Sequence, residues 1–385
     1  MDDLLKWRPE FPILSDTVYL ISNSLGAMPR SVYDKMHKYA EIWAHRGVKA
    51  WEDEWWEMPV KVGDIIAPLI GANPGEISMH TNVSLLHAML ISCFEFTERR
   101  NKVVYSDMDF PSVTYVCEQF ARERGAKIEV VRSEDGISVP PEKMLAAIDE
   151  QTLLAPISHV LFRSAHVQNA KAIIERAHAV GATVILDAYH SVGTVPVDVK
   201  DLNVDILVGG VLKWLCGGPG GAFLYVKSDL REKLTPKITG WMAHPRPFDF
   251  EVGEMEYRAD AFRFLNGTPS ISALYAAQEG PKIIGEIGID KIRAKSIHQT
   301  SRLIELADEF GFRVNSPRDA NERGGTVSID VPHGDAVAHE LLRRQFLIDY
   351  RPKAGIRIAP HFYTNDEELE FVMHEIKSIS ETKAS

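Results

Sequence analysis

From Lys102 to Val226 the chain alternates short, very apolar runs with longer stretches of helical spacing, and few architectures accept that alternation. KVVYSD, KIEVV, HVLFRSA, TVILDA, ILVGG and AFLYV read as buried strands of four to seven residues. Between them, SVTYVCEQFARERGA and AKAIIERAHAVGA carry apolar residues at helical intervals and run into glycine. Strands that are apolar throughout belong to a sheet covered on both faces. Strand–helix–strand units of this kind cross over right-handedly into a mostly parallel sheet. Upstream, helical patterns dominate from Ser31 to Met58, and another helix begins near Asn82 in NVSLLHAMLISCF. After about Arg258 the texture shifts. FGFRVNS, GGTVSIDV, a helix at DAVAHELLRRQ, GIRIAP and a final helix from Asp366 describe a smaller α+β unit. The expected fold is α/β, with a large domain over residues 30–257 and a small domain that includes 258–385.

Charge and cysteine usage narrow the functional classes. A net charge of −11, with no stretch dominated by Lys and Arg, argues against a nucleic-acid partner. No run of about 18 apolar residues occurs, so no membrane span is expected. Three cysteines in 385 residues offer neither a disulfide framework nor metal-binding spacing, and no metal site is expected. The start, MDDLLKWRPEFPIL, is acidic where a signal peptide is basic. A cytoplasmic protein is the plain expectation.

Ligands of open α/β sheets sit beyond the carboxyl ends of the strands. TVILDAYH ends a very apolar strand on Asp187. A carboxylate there is costly without a partner. A pyridinium nitrogen would supply one, and the ion pair would keep that ring protonated as an electron sink; an Asp capping the next turn gives the same local sequence. DILVGGVLKWLCGGPGGAFLYV sets Lys213 between a buried strand and a glycine-rich turn, flanked by Val211, Leu212, Trp214 and Leu215. Desolvation of that amine lowers its pKa, as an imine-forming lysine requires. The turn is a poor dinucleotide fingerprint, which joins a first strand directly to its helix with no lysine before it. SDMDFPSVTY puts Phe110 just past a strand, where its face could stack on a flat heteroaromatic ring or simply fill core. At HTNVSLLH, the N–H groups of a helix start would cradle a phosphate, with a plain N-cap by Thr81 or Asn82 as the alternative. Together, in this order, these parts point to pyridoxal 5′-phosphate (PLP) linked to Lys213.

On these residues the chain resembles the fold-type I PLP enzymes, within them the class V aminotransferase superfamily, and among those the kynureninases, along most of its length. YLISNSLGAMP is similar to that family's N-terminal NSLG segment, which implies substrate-binding roles for Asn23 and Ser24. FPSVTY, at 110–115, resembles its ring-stacking segment and implicates Phe110 and Ser112; Asn82, Val83 and Ser164 join the implied cofactor-binding set. DAYH resembles its Asp-x-x-His, which would set Asp187 on the pyridine nitrogen and His190 close to the cofactor. TGWMAH and FRFLNGTPSI imply that Trp241, Asn266 and Thr268 serve the cofactor, Trp241 and Thr268 by reaching a neighbouring subunit's phosphate. GIRIAPHFYTND looks like the segment whose arginine, here Arg357, holds a substrate α-carboxylate through paired hydrogen bonds. A family histidine near the substrate's aryl group falls, in a loose alignment, on Trp51. By the same resemblance residues 1–29 pack with the small domain, and the enzyme is a homodimer with shared sites.

Some positions depart from the kynureninase pattern. Leu212 stands where the family has a tyrosine before the lysine, and Val113 replaces a carboxylate in FPSD. Gly267-Thr268-Pro269 looks more like other class V members. The expected reaction is kynureninase-like hydrolysis of Cβ–Cγ in a small L-amino acid, with Lys213, Asp187 and His190 as the catalytic set. The alternatives are a class V aminotransferase or β-lyase, including a desulfurase-like C–S lyase, and a non-catalytic PLP-fold protein.

Overall fold

The computed structural model describes residues 2–384. After a short β1 (Val18–Tyr19) come β2 (Ile77–His80), β3 (Lys102–Ser106), β4 (Lys127–Val131), β5 (Thr152–Ser158), β6 (Thr183–Asp187), β7 (Ile206–Gly210) and β8 (Ala222–Val226). The last seven form one sheet in the order β2-β8-β7-β6-β5-β3-β4. Only β8 runs against its neighbours, so the carboxyl ends of the other six share one edge. The fold is therefore α/β with a mostly parallel sheet.

Side chains alternate between two apolar faces. Ile185, Ile206, Val208 and Leu224 pack under helix Val83–Ile91 through Val83, Leu86 and Leu90. Leu186, Leu207 and Phe223 face the opposite cluster with Ile66, Ile174, Leu274 and Ile284. A strand two-sided in this way must be apolar at every position, which is why the runs were legible. The helix over 83–91 starts where it does because Asn82 Oδ1 accepts the Leu85 N–H at 2.9 Å, a cap worth about 1 kcal/mol.

One expected strand is displaced. HVLFRSA is a turn segment, and the paired strand is the preceding TLLAPIS, β5. Pro156 lies inside it, and β3 pairs with β5 at Lys102–Thr152 and Val103–Leu154, with a register shift between them, before the residue that lacks an N–H.

The second sheet has the order β12-β13-β10-β9, all antiparallel, from β9 (Arg313–Val314), β10 (Val327–Asp330), β12 (Asp349–Arg351) and β13 (Gly355–Ile358). β11 (Phe346–Leu347) pairs with β1 instead. Leu20 shares the small sheet's apolar cluster with Leu303, Val327, Ile356 and Val372. Ile271, Leu274 and Ile284 belong to the large cluster, and the 21-residue helix Ile289–Glu309 joins the two, with Ile292 in one and Leu303 and Leu306 in the other. No described helix is long and apolar enough to cross a membrane.

Candidate active site

Several carboxyl-terminal strand ends and the turns after them converge on a cavity of about 190 Å³. Its lining includes Ser158 from the end of β5, Asp187 from β6, and Leu212 with Lys213 from the turn after β7. That turn is fixed by backbone contact. Gly26 donates to the Leu212 carbonyl at 2.9 Å, and a Cβ on Gly26 would stand 2.1 Å from the Lys213 oxygen. Gly280 approaches as closely from the other direction, 2.0 Å from the Leu215 oxygen by the same measure. The turn that carries Lys213 is thus held by two distant parts of the chain.

The Lys213 amine lies 2.5 Å from His190 Nε2 and 4.7 and 5.3 Å from the ring centres of Tyr189 and Phe110. Desolvation, helped by Arg357 and Arg351 and opposed by Asp187 and Asp349, lowers its pKa to about 7. His190 is held well below the usual histidine range by burial, Lys213 and Arg357. It is therefore a neutral imidazole that can accept the lysine's hydrogen bond. Burial raises Asp187 to about 6, against the Tyr189 N–H and the charge of Lys213. One Asp187 oxygen accepts that N–H at 2.9 Å; the other makes no hydrogen bond among the described residues.

These features fit PLP. The unengaged Asp187 oxygen wants a cationic N–H, which a pyridinium provides. Phe110 is 39% exposed and offers an open ring face. At the helix start Asn82 takes the Leu85 and Leu86 N–H groups, leaving those of Val83 and Ser84 without partners among the described residues, as a phosphate requires. Ser112 lines the same cavity.

Other expected site residues lie elsewhere. Ser164 is outside the cavity; its hydroxyl donates to the Ile137 carbonyl at 2.6 Å, because the segment holding it is a turn past β5 rather than a strand. Trp51 packs edge-on against Trp55 at 5.5 Å in a helical turn and does not line the cavity. Asn266 and Thr268 line a separate pocket with His80 and Thr81. Trp241 packs on Trp56 at 5.1 Å, next to the Asn266 loop. Asn23 is buried with neither amide atom partnered among the described residues, and Ser24 follows it in the loop that carries Gly26 to the Lys213 turn. Arg357, 3% exposed, is already engaged: its guanidinium grips Asp349, and Nη1 donates to the Phe162 carbonyl.

Sequence reasoning missed Ser84, Ser158, Val160 and Tyr189 in the cavity wall, and Asp109 behind it. The buried Asp109 carboxylate accepts from Ser106 N–H and O–H, both at 2.7 Å, and from Ser158 N–H at 2.6 Å. It ties the ends of β3 and β5 and so sets the base of Phe110. The signal was present as a second acidic residue in SDMDF, directly before the aromatic.

Fold and site define a fold-type I, PLP-dependent enzyme. More particularly, the chain belongs to the class V aminotransferase family, whose model matches residues 18–350. An uncharacterized aminotransferase of Bacillus subtilis, YcbU, is 32% identical over 376 residues, 96% of either chain. A kynureninase of Burkholderia pseudomallei is 28% identical, covering 100% of this chain and 94% of its own. In structure, a cysteine desulfurase of Thermococcus onnurineus superposes with a TM-score of 0.87 over 98% of both chains at 22% identity, a likeness of fold.

Proposed function

We propose that this enzyme acts at the α-carbon of an L-amino acid, and that its reaction is kynureninase-type hydrolysis of the Cβ–Cγ bond. The observation that carries the first part is the Lys213 amine, enclosed beside neutral His190 with its pKa lowered to about 7. Such an amine is a base at neutral pH, where a solvated lysine is not. When bound, PLP supplies the sink for the electron pair left at Cα. Lys213 takes the Cα proton while His190 Nε2 orients its amine. Asp187 holds a proton donor on its free oxygen and keeps it charged. Arg357 offers a guanidinium to the α-carboxylate. In the hydrolytic reaction water adds to a γ-carbonyl, the Cβ–Cγ bond breaks, and alanine leaves with a carboxylic acid. Support for that finer step is the likeness to kynureninases over the whole chain and the match in the FPS, DAYH and GIRIAP segments.

Transamination is the second reading. It is favoured by Leu212, which puts an apolar side chain beside Lys213, and by the likeness to YcbU. Thiol-dependent desulfuration has little support, since burial pushes Cys93, Cys117 and Cys216 each up to about 12 and leaves no thiolate at neutral pH. The proposal includes a cytoplasmic homodimer in which Trp241 and Thr268 complete the neighbouring subunit's phosphate site and Asn266 serves the cofactor. Purified enzyme with PLP is expected to convert L-kynurenine or its 3-hydroxy form to the aryl acid and alanine in equal amounts. Keto acid formed from an amino acid only when a second keto acid is present, with no aryl acid released, would replace hydrolysis by transamination.

A further inference from the structure

Arg357 and Asp349 face each other directly across β13 and β12. A carboxylate already bound side-on to the arginine expected to take substrate looks at first like an obstacle. The guanidinium nevertheless keeps donors to spare. A guanidinium has five N–H groups. Nε donates to Asp349 Oδ1 at 2.8 Å, Nη2 to Oδ2 at 2.5 Å, and Nη1 to the Phe162 carbonyl at 2.8 Å. Among the described residues two donors remain, one on each terminal nitrogen, and a carboxylate can span that pair. Three fixed bonds also stop the group from swinging. The group lies close enough to the cavity for its charge to act on both Lys213 and His190, and the Phe162 ring beside it packs edge-on against Phe110 at 5.1 Å.

Charge is balanced as well as geometry. Asp349 Oδ2 is also 3.0 Å from Arg351 Nη2, so one carboxylate serves two guanidinium groups and the trio keeps a net charge of +1. One further carboxylate would neutralise it. Arg357 is 3% exposed and Arg351 about half exposed, so Arg351 can restore the charge from the solvent side.

We propose that Asp349 is the positioning residue of the substrate-carboxylate subsite, holding Arg357 side-on so that its two remaining N–H groups stay available to a single α-carboxylate. This rests on the reading of Arg357 as the carboxylate ligand. L-Alanine and L-alaninamide, which lacks the carboxylate, are the probes, titrated into PLP-loaded enzyme and followed by its visible spectrum. The parent is expected to prefer alanine. Arg357→Gln is expected to lose that preference; if it keeps it, the reading of Arg357 fails, and the proposal with it. Asp349→Asn is expected to bind alanine about tenfold more weakly, the scale of one charge-assisted hydrogen bond. Its affinities for alaninamide and PLP should be unchanged, and turnover should show a raised KM with kcat largely kept. If Asp349→Asn binds alanine as the parent does, or more tightly, while Arg357→Gln has lost the preference, the positioning role is overturned and the arginine's role stands. Should Asp349→Asn not fold, Asp349→Glu keeps the charge but moves the carboxylate by one methylene; parental alanine binding there would equally overturn the proposal.

Discussion

Burial shifts the proton affinities of both Lys213 and Asp187, and their pH effects have opposite signs. Lys213, lowered from 10.5 to about 7, makes the folded state bind fewer protons than the unfolded chain between those values. Stability is therefore lost as pH falls from 10.5 through 7, and the full cost is present below 7. Asp187, raised from 3.8 to about 6, makes the folded state bind more protons; stability is lost as pH rises from 3.8 through 6. The PLP-free protein carries both costs between about pH 6 and 7, several kcal/mol in all. Lys213→Met is expected to raise the melting temperature of PLP-free protein by a few degrees at pH 6.5 and by less at pH 9.5, where the parent amine is already neutral. Calorimetry at the two pH values checks this, and an equal or larger gain at pH 9.5 would refute it. Lys213 and Asp187 were legible because an isolated ionisable residue in an apolar run has few bland explanations. Asp349 was not. Its partner Arg357 lies in a different apolar segment, and only the β12–β13 register sets them face to face.

At the scale of elements, the site depends on how turns are pressed together. Gly26→Ala would drive a methyl group into the Lys213 carbonyl, a backbone atom that cannot rotate away. The expected outcome is a loss of about 1–3 kcal/mol with PLP affinity down at least about tenfold, measured by thermal unfolding and spectral titration; parental PLP affinity would contradict it. Asn82→Ala removes the cap of helix Val83–Ile91 and is expected to cost about 1 kcal/mol while weakening PLP more than free pyridoxal, which lacks the phosphate. Most strands of the large sheet could be read because burial on both faces makes them apolar throughout. β5 could not be placed: Pro156 argues against a strand in TLLAPIS, and the turn that follows is just as apolar. Ser158, at the end of the true strand, lines the cavity, whereas Ser164, implied by the resemblance, lies in the turn beyond it.

At the scale of the molecule, Asn266 and Thr268 form a pocket separate from Lys213 within one chain. The proposed dimer gives them a purpose, and mixing tests it. Lys213→Ala and Thr268→Glu chains, inactive apart, are expected to regain about a quarter of parental activity when refolded together, since half of the two-fold pairs then hold one intact site. No regain would mean that each subunit is complete alone. The central claim is that Lys213 carries the cofactor, and borohydride reduction of the PLP-loaded enzyme followed by peptide mapping tests it most directly. A pyridoxyl group on the peptide containing Lys213, absent from Lys213→Ala, is the predicted result. A label on another lysine, or none on protein that retains PLP, would contradict it.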